Sequence, residues 1–165
     1  MNNPIYLRPL NVADAKISYQ WRNDPEVWVY TEFKPSQPGI TMEKEMEWLR
    51  HKLEIETDKR FAICLKDTTQ YIGNIQLIDV KDGQAEFHLF IGERQFWGKG
   101  IGKAATKLIL ERAFEEMNLD SVFLFAHEDN AAGLSIYKKL GFVPQSKHGN
   151  QVKMLLTKGS FMPGN

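Results

Sequence analysis

Residues 95–105, QFWGKGIGKAA, place glycines at three alternate positions and then begin an apolar, helix-like run. Glycine lets a chain turn tightly at positive φ and bring its backbone N–H groups close to a ligand. A helix that begins directly after such a loop points further unpaired N–H groups in the same direction. The stretch therefore predicts a phosphate-binding loop that leads into a helix. The alternative is a glycine-rich turn that only joins a strand to a helix.

Two common nucleotide-binding motifs do not fit this loop. A dinucleotide-binding fingerprint needs glycine where the chain has Lys103, and a P-loop needs glycine at Trp97 and a hydroxyl residue at Ala104. What remains is a cradle of backbone amides beside two lysines, 99 and 103. Such a cradle suits a pyrophosphate that is bound and not cleaved, so the loop is interpreted as a cofactor anchor.

The composition indicates one globular domain with no strong charge bias. A chain of 165 residues can bury roughly 70% of its unfolded surface. Lysine plus arginine equals aspartate plus glutamate, at 21 each, and this balance disfavours a nucleic-acid partner. We expect a single domain over residues 1–165, with residues 159–165 as a flexible tail.

Three further features concern the cysteine, metal binding and the cellular location. The single cysteine, Cys64, lies in an apolar alternation where a buried, inert thiol is expected. The four histidines show no ligand spacing, so no metal site is expected. The sequence has neither a leader nor a run of about 18 apolar residues, so we expect a cytoplasmic protein without a membrane partner. A homodimer is left open.

The predicted elements run strand, two helices, three strands, helix, strand, helix and hairpin. Thr41 is expected to cap the second helix, and the turn signals DTTQ and KDG separate three β-rich segments that predict an antiparallel meander. The apolar run SVFLFAH, residues 121–127, is expected to be a strand buried on both faces. This order predicts a mixed α/β fold covered on both faces.

Two motifs together resemble the GNAT superfamily of N-acetyltransferases. The first is Gln95-x-x-Gly98-x-Gly100 at the start of a helix, and the second is EDNAAGLSIYKKLGF, residues 128–142. The predicted order of elements is similar to that fold over nearly the whole chain. YLRPL and WRNDPEV are similar to the branch that acetylates small molecules and ribosomal proteins. The resemblance implies a largely antiparallel sheet of about seven strands and acetyl-CoA as the donor.

The resemblance also implies where acetyl-CoA binds. Its pyrophosphate would lie on the amides of residues 98–102, its pantetheine along the strand FHLFI, and its thioester oxygen near the N–H of Phe90 or Ile91. Asn130 would contact the cofactor and also cap a helix. The implied cofactor residues are Phe90, Ile91, Gln95, Gly98, Lys99, Gly100, Ile101, Gly102, Lys103 and Asn130.

Acetyl transfer from a thioester to an amine needs groups that move protons. The amine must lose a proton, and the departing thiolate benefits from gaining one. Tyr137 matches the family's tyrosine seven residues after the asparagine and is predicted to be the general acid; without the motif it would be interpreted as a core tyrosine. Glu86, on the polar face of AEFHLFI, is predicted to be the base ahead of His88, with a merely solvated strand face as the alternative.

The amino-terminal helices and their loop are predicted to select the acceptor amine. YQWRNDPEVWVY, residues 19–30, mixes flat rings with hydrogen-bonding groups, which suits a sugar or a nucleotide-linked sugar. The predicted substrate residues are Trp21, Arg22, Trp28, Tyr30 and, at the end of the apolar strand, His127. The alternative is that Trp21 closes the first helix against the sheet and that Trp28 anchors the loop.

The leading interpretation is direct transfer of an acetyl group to a primary amine of a small molecule, with an amino sugar first. The alternatives are an N-terminal or ribosomal-protein acetyltransferase, a polyamine or aminoglycoside acetyltransferase, and a CoA-binding module without activity. A peptide groove in place of a closed pocket would indicate a protein acceptor, and consumption of thioester with any amine would exclude the silent module.

Overall fold

Seven strands form one sheet in the order β1-β2-β3-β4-β5-β7-β6. The computed structural model describes residues 3–31, 33–36 and 38–164. The strands are β1 (Ile5–Pro9), β2 (Lys59–Leu65), β3 (Tyr71–Lys81), β4 (Gln84–Ile91), β5 (Ser121–His127), β6 (Val143–His148) and β7 (Gln151–Thr157). Every neighbouring pair is antiparallel except β4 and β5, which are parallel. The predicted meander and closing hairpin are confirmed.

Within the described residues, four helices cover the sheet: α1 (Ala15–Arg22), α2 (Met42–Leu53), α3 (Ile101–Glu111) and α4 (Ala131–Leu140). The predicted cap of α2 is present, because Thr41 Oγ1 accepts a hydrogen bond from the Lys44 N–H at 3.2 Å. Helix α3 continues into a π-helical turn, Arg112–Glu116. The mixed α/β sheet with helices on both faces is confirmed.

The two faces bury separate apolar clusters. The larger cluster joins α3 and α4 to the sheet, with Ile109, Leu110, Leu124 and Leu140 in its centre. The smaller cluster joins α1 and α2 to strands β2, β3 and β4; its buried members are Leu10, Ala15, Trp21, Leu49, Ala62, Cys64 and Tyr71. Cys64 is fully buried, as expected.

The prediction that β5 is buried on both faces is wrong. Val122, Leu124 and Ala126 are buried, but Phe125 is 43% exposed. The reason is that the smaller cluster does not extend over β5, because its described members come from α1, α2 and the β2–β4 side of the sheet. The continuous apolar run therefore has one face in the core and one face toward solvent.

The described part of the tail touches the larger cluster. Lys158–Ser160 form a short 3-10 turn, the Phe161 ring lies 5.6 Å from that of Phe114, and the Met162 N–H donates to Leu140 O at 2.9 Å. Asn165 of the predicted tail lies outside the described residues, as do Glu32 and Gln37 of the amino-terminal loop.

Candidate active site

The two parallel strands at the centre of the sheet pair over only three positions. Gln84 lies opposite Ser121, Ala85 opposite Val122, and Glu86 opposite Phe123. Both strands then continue, to residues 91 and 127, without further paired residues between them among those described. The carboxyl ends of β4 and β5 therefore border a gap in the sheet, the place where open α/β sheets bind ligands.

The register of β4 decides which of its peptide groups face this gap. Gly83 O accepts from the Ser121 N–H at 3.2 Å on the β5 side, and the Gly92 N–H donates to Ile72 O at 2.8 Å on the β3 side. Because peptide groups alternate in direction along a strand, those of residues 85, 87, 89 and 91 face β5, and the even ones face β3. The Leu89 N–H and C=O and the Ile91 N–H thus face the gap and have no partner on β5 among the described residues, whereas Ile91 O accepts from Trp97 Nε1.

This register corrects the prediction for Phe90. Phe90 lies opposite Asn74 of β3, so its N–H points away from the gap. Ile91, the other predicted donor, faces the gap, and so does Leu89, which sequence reasoning missed. The alternation of apolar and polar side chains in AEFHLFI shows that successive residues of the strand differ in direction. Only the pairing with the neighbouring strands determines that the peptide groups of the odd-numbered residues face β5.

A cavity of about 120 Å³ lies in the gap. It is lined from β4, β5, α4 and the amino-terminal loop by Tyr30, Thr31, Phe87, His88, Leu89, Leu124, Phe125, Ala126, His127, Asn130 and Tyr137. Four of the predicted site residues, Tyr30, His127, Asn130 and Tyr137, therefore meet in one place.

Tyr137 contributes a protonated phenol to this cavity. Its ring lies 5.9 Å from that of Phe87 and 5.7 Å from that of Phe142. Within the described residues, its hydroxyl has no hydrogen-bond partner. Burial raises the pKa of Tyr137 to about 12, so the group stays protonated at neutral pH. Tyr137 therefore packs against core rings, as its helical face predicts, and also lines the cavity, where the acid suggested by the motif would act.

Glu86 and His88 form a pair in which His88 is nearer the cavity. The Glu86 Oε2 contacts the His88 Nε2, and His88 lines the cavity whereas Glu86 does not. A carboxylate at Nε2 favours the tautomer with its proton there, which leaves Nδ1 as the acceptor of the neutral ring. The order expected from sequence, with Glu86 ahead of His88, is therefore reversed in this geometry.

The glycine loop has the backbone that its sequence predicts. Gly98 and Gly100 have φ values of +73° and +78°, and Gly100 is the residue that precedes α3. A Cβ built at either glycine meets no atom within 4 Å, so the space in front of the loop is open to a ligand. The first turn of α3 follows directly from Ile101, and its N–H groups point toward the same space.

The flanks of the loop are held by aromatic contacts. The Trp97 Nε1 donates to Ile91 O at 2.9 Å and so ties the loop to the end of β4, a link that the sequence did not reveal. Lys99 Nζ lies 5.6 Å from the centre of the Phe96 ring. Gln95 is exposed in the short 3-10 turn Arg94–Phe96.

Asn130 is placed for both of its predicted roles, the cap of a helix and a contact to the cofactor. Its Oδ1 accepts from the Gly133 N–H at 3.0 Å and caps α4, and the residue also lines the cavity. On the opposite rim, the Tyr30 ring lies 5.7 Å from that of His127, which joins the amino-terminal loop to the end of β5.

The two tryptophans predicted to contact substrate are buried. Trp21 is 4% exposed, lies 4.7 Å from the Tyr71 ring and donates from Nε1 to Glu93. Trp28 is 6% exposed and donates from Nε1 to Trp21 O at 2.8 Å. Both match the alternative reading, in which Trp21 closes α1 against the sheet and Trp28 anchors the loop. Arg22 lies beside them and lines a second cavity, of about 330 Å³.

The described residues contain no group of three His, Cys, Asp or Glu side chains placed to hold a metal ion. Among the same residues, no helix is both long and apolar enough to cross a membrane. A cytoplasmic location stays a prediction.

Curated relatives at modest identity are acetyltransferases. The chain is 28% identical to the uncharacterized N-acetyltransferase p20 of Bacillus licheniformis over 139 residues, 82% of this chain and 77% of the relative. It is 26% identical to the spermidine N(1)-acetyltransferase of Escherichia coli K12 over 140 residues, 84% and 72% of the two chains. For the acetyltransferase PseH of Campylobacter jejuni, identity is 25% over 133 residues, 81% and 79% of the chains.

Solved structures share the fold. The spermidine N-acetyltransferase from Vibrio cholerae, determined in complex with CoA and spermine, superposes with a TM-score of 0.83 at 20% identity and covers 96% of this chain and 98% of its own. The acetyltransferase (GNAT) domain profile matches residues 5–143, which include β1, the gap and the glycine loop. The chain belongs to the GNAT acetyltransferase family and is an acetyl-CoA-dependent N-acetyltransferase.

Proposed function

We propose that the enzyme transfers the acetyl group by direct attack of a primary amine of a small molecule, with an amino sugar as the leading acceptor. The observation that carries this proposal is the cavity in the gap, where Tyr137 and His88 line one space between β4 and β5. A small acceptor is favoured over an extended peptide, because the Tyr30 and His127 rings, 5.7 Å apart, meet at the rim of that space.

The donor is held by backbone groups. The amides of residues 98–102 bind the pyrophosphate, with Lys99 and Lys103 adding positive charge and Gln95 and Asn130 adding polar contacts. The pantetheine runs along the unpaired edge of β4. It forms hydrogen bonds with the Leu89 and Ile91 peptide groups, as a neighbouring strand would. One of these two N–H groups then donates to the thioester oxygen as negative charge develops there.

Tyr137 protonates the departing thiolate. Its high pKa makes it a weak acid toward an ordinary thiolate in water. The burial that raises the pKa of Tyr137 also raises that of a thiol in the same cavity, so the two groups are better matched there than in solution. Because no described residue occupies the hydroxyl, its proton is free to turn toward the sulfur.

His88 accepts the proton of the amine, and Glu86 positions it. Side chains alternate across β4, so Phe87, against which Tyr137 packs, and His88 lie on opposite faces of the sheet. The acid and the base therefore approach the cavity from the two sides of the gap. This separation places the thiolate and the amine on opposite sides of the acetyl carbon.

A polyamine is the second candidate acceptor. It is favoured by the similarity to the spermidine N(1)-acetyltransferase of Escherichia coli. A screen of amines by thiol release separates the two: an amino sugar with the highest kcat/KM supports the proposal, and spermidine with the highest value replaces it.

Replacement of Tyr137 by phenylalanine tests the acid. The ring and its packing stay, so the acetyl-CoA Kd should barely change, whereas single-turnover thiol production should fall by roughly 10² to 10⁴. Because the pKa of Tyr137 is about 12, the ratio of wild-type to variant rate should be constant from pH 7 to 9.5. A ratio that rises tenfold per pH unit would mean that the phenolate is the active form, and near-wild-type turnover would remove Tyr137 from the mechanism.

A double-mutant cycle tests the roles of His88 and Glu86. If His88 takes the proton and Glu86 only positions it, Glu86→Gln should lower kcat in the wild type but have no effect in a His88→Ala background. His51→Ala, on the exposed surface of α2, is the matched control and should be silent. Equal losses from Glu86→Gln in both backgrounds would make Glu86 the base instead.

A pair of glycine variants tests the loop. Gly100→Val forces a β-branched residue to φ +78° and displaces the amides, so the acetyl-CoA Kd should rise at least about tenfold. Gly102→Ala is the control, since its Cβ meets only Leu89 Cδ2, at an ordinary 3.6 Å. Calorimetry on both folded variants decides, and unchanged affinity in Gly100→Val would take the pyrophosphate off this loop.

A further inference from the structure

A second cavity lies between α1, α2 and the segment that joins them. It encloses about 330 Å³ and is lined by Arg22, Phe33, Ile40, Lys44, Glu45 and Trp48. The cavity is distinct from the one in the gap, and the acetyl-transfer steps described above make no use of it. Its lining is apolar apart from three charged side chains.

Arg22 is held rigidly at this cavity. Its guanidinium carbon lies 4.3 Å from the centre of the Trp48 ring and 4.8 Å from that of Trp28. Its Nε donates to both carboxylate oxygens of the buried Glu45, at 3.1 and 3.3 Å. Ring contacts and the carboxylate together position the guanidinium before any ligand arrives.

Nη1 and Nη2, at the other end of the guanidinium, make no hydrogen bond to the described residues. Within the described residues, no acceptor lies in hydrogen-bond range of Nη1 or Nη2. These two nitrogens carry four N–H donors in the planar fork that matches a carboxylate or phosphate. An anion in the cavity would complete this fork with charge-assisted hydrogen bonds.

The surrounding charge also favours an anion. The lining carries two cations, Arg22 and Lys44, and one carboxylate, Glu45. A further cation, Lys52, approaches the Trp48 ring with its Nζ at 5.6 Å, whereas the Arg60 guanidinium, at 5.8 Å, is already paired with Asp58. A polyamine would meet repulsion here, whereas one carboxylate or phosphate group would be attracted.

The amino-terminal loop contributes residues to both cavities. Tyr30 and Thr31 line the cavity in the gap, and Phe33 lines the second one. Arg22 also lies 5.8 Å from the Phe90 ring, which is two positions from His88 on the same face of β4. Two residues along a strand span about 6.7 Å. Together the two steps are on the order of 12 Å, a span that a sugar with a phosphate or carboxylate arm covers once the contacts at its two ends are included.

We infer that the second cavity binds a carboxylate or phosphate group carried by the acceptor, and that the enzyme selects an anionic amine. This inference rests on the proposed function and specifies its acceptor class. Arg22 supplies the bidentate contact, Glu45 positions Arg22, and Lys44 adds charge at the rim.

Matched amines test the inference. Glucosamine is compared with glucosamine 6-phosphate and with muramic acid, which adds a carboxylate, and spermidine serves as the cationic probe. We expect at least one anionic amine to exceed glucosamine about tenfold or more in kcat/KM, the worth of one charge-assisted bidentate contact. A wild-type preference for glucosamine or spermidine over both anionic amines would overturn the inference.

Variants assign the preference to the cavity. Arg22→Gln should abolish the preference, measured within that variant as the ratio of kcat/KM for the anionic amine to that for glucosamine, and Lys44→Gln should reduce this ratio without removing the partner of Glu45. Arg50→Gln, on the exposed surface of α2, is the matched control and should keep the wild-type preference. If Arg22→Gln does not fold, Lys44→Gln decides, and a preference that survives in every folded variant of the cavity overturns the inference.

Inorganic phosphate separates an acceptor-borne anion from a free one. Phosphate should compete with the anionic amine and leave glucosamine turnover unchanged, and stimulation of glucosamine turnover would contradict an acceptor-borne anion. Phosphate should also change the tryptophan fluorescence of the wild type but not of Arg22→Gln. This binding signal supports the anion site even if no amine is acetylated, a result that would instead defeat the proposed function.

Discussion

The active site depends on the loss of pairing between β4 and β5 after Glu86 and Phe123. A parallel pair that stayed in register to residues 91 and 127 would satisfy its own peptide groups and leave no space between the strands. Because the strands separate, the N–H and C=O of Leu89 and the N–H of Ile91 have no partner on β5 among the described residues. Each proposed functional group then comes from a neighbouring element: Tyr137 from α4, His88 from β4, and the open glycine loop from the start of α3.

The acceptor side is organised by buried aromatic rings. Trp28 lies between the rings of Phe33 and Phe90, each at 4.8 Å, and its indole N–H is bonded to the end of α1. These contacts fix the amino-terminal loop over β4, with Tyr30 on the side of the gap. The same rings hold Arg22 at the second cavity. One packed cluster thus sets the distance between the transfer site and the proposed anion site.

Local signals in the sequence predicted much of this architecture. The glycines at 98 and 100 and the Thr41 and Asn130 caps specify backbone geometry within a few residues, so they could be read directly. Element order and the resemblance gave the mixed sheet, the family and the donor. The burial of Trp21 and Trp28 was named only as an alternative, because composition cannot tell a ring that packs inward from one that faces a substrate.

What the sequence could not supply depends on contacts between distant elements. The register of β4 with β3 and β5 determines that the peptide groups of Leu89 face the gap and that those of Phe90 do not. The approach of Glu86 to His88 and the bond from Trp97 to Ile91 depend on side-chain directions in the folded chain. The exposed face of β5 follows from how far the α1–α2 layer extends.

Hydrogen exchange at single backbone amides of β4 tests the gap most directly. In the free protein, the N–H groups of Leu89 and Ile91 should exchange quickly, and those of His88 and Phe90, which face β3, should exchange slowly. Saturating acetyl-CoA should slow exchange at Leu89 and Ile91 by at least about tenfold and leave the other two unchanged. Slow exchange at Leu89 and Ile91 without ligand, or exchange there that saturating acetyl-CoA does not alter, would contradict the account.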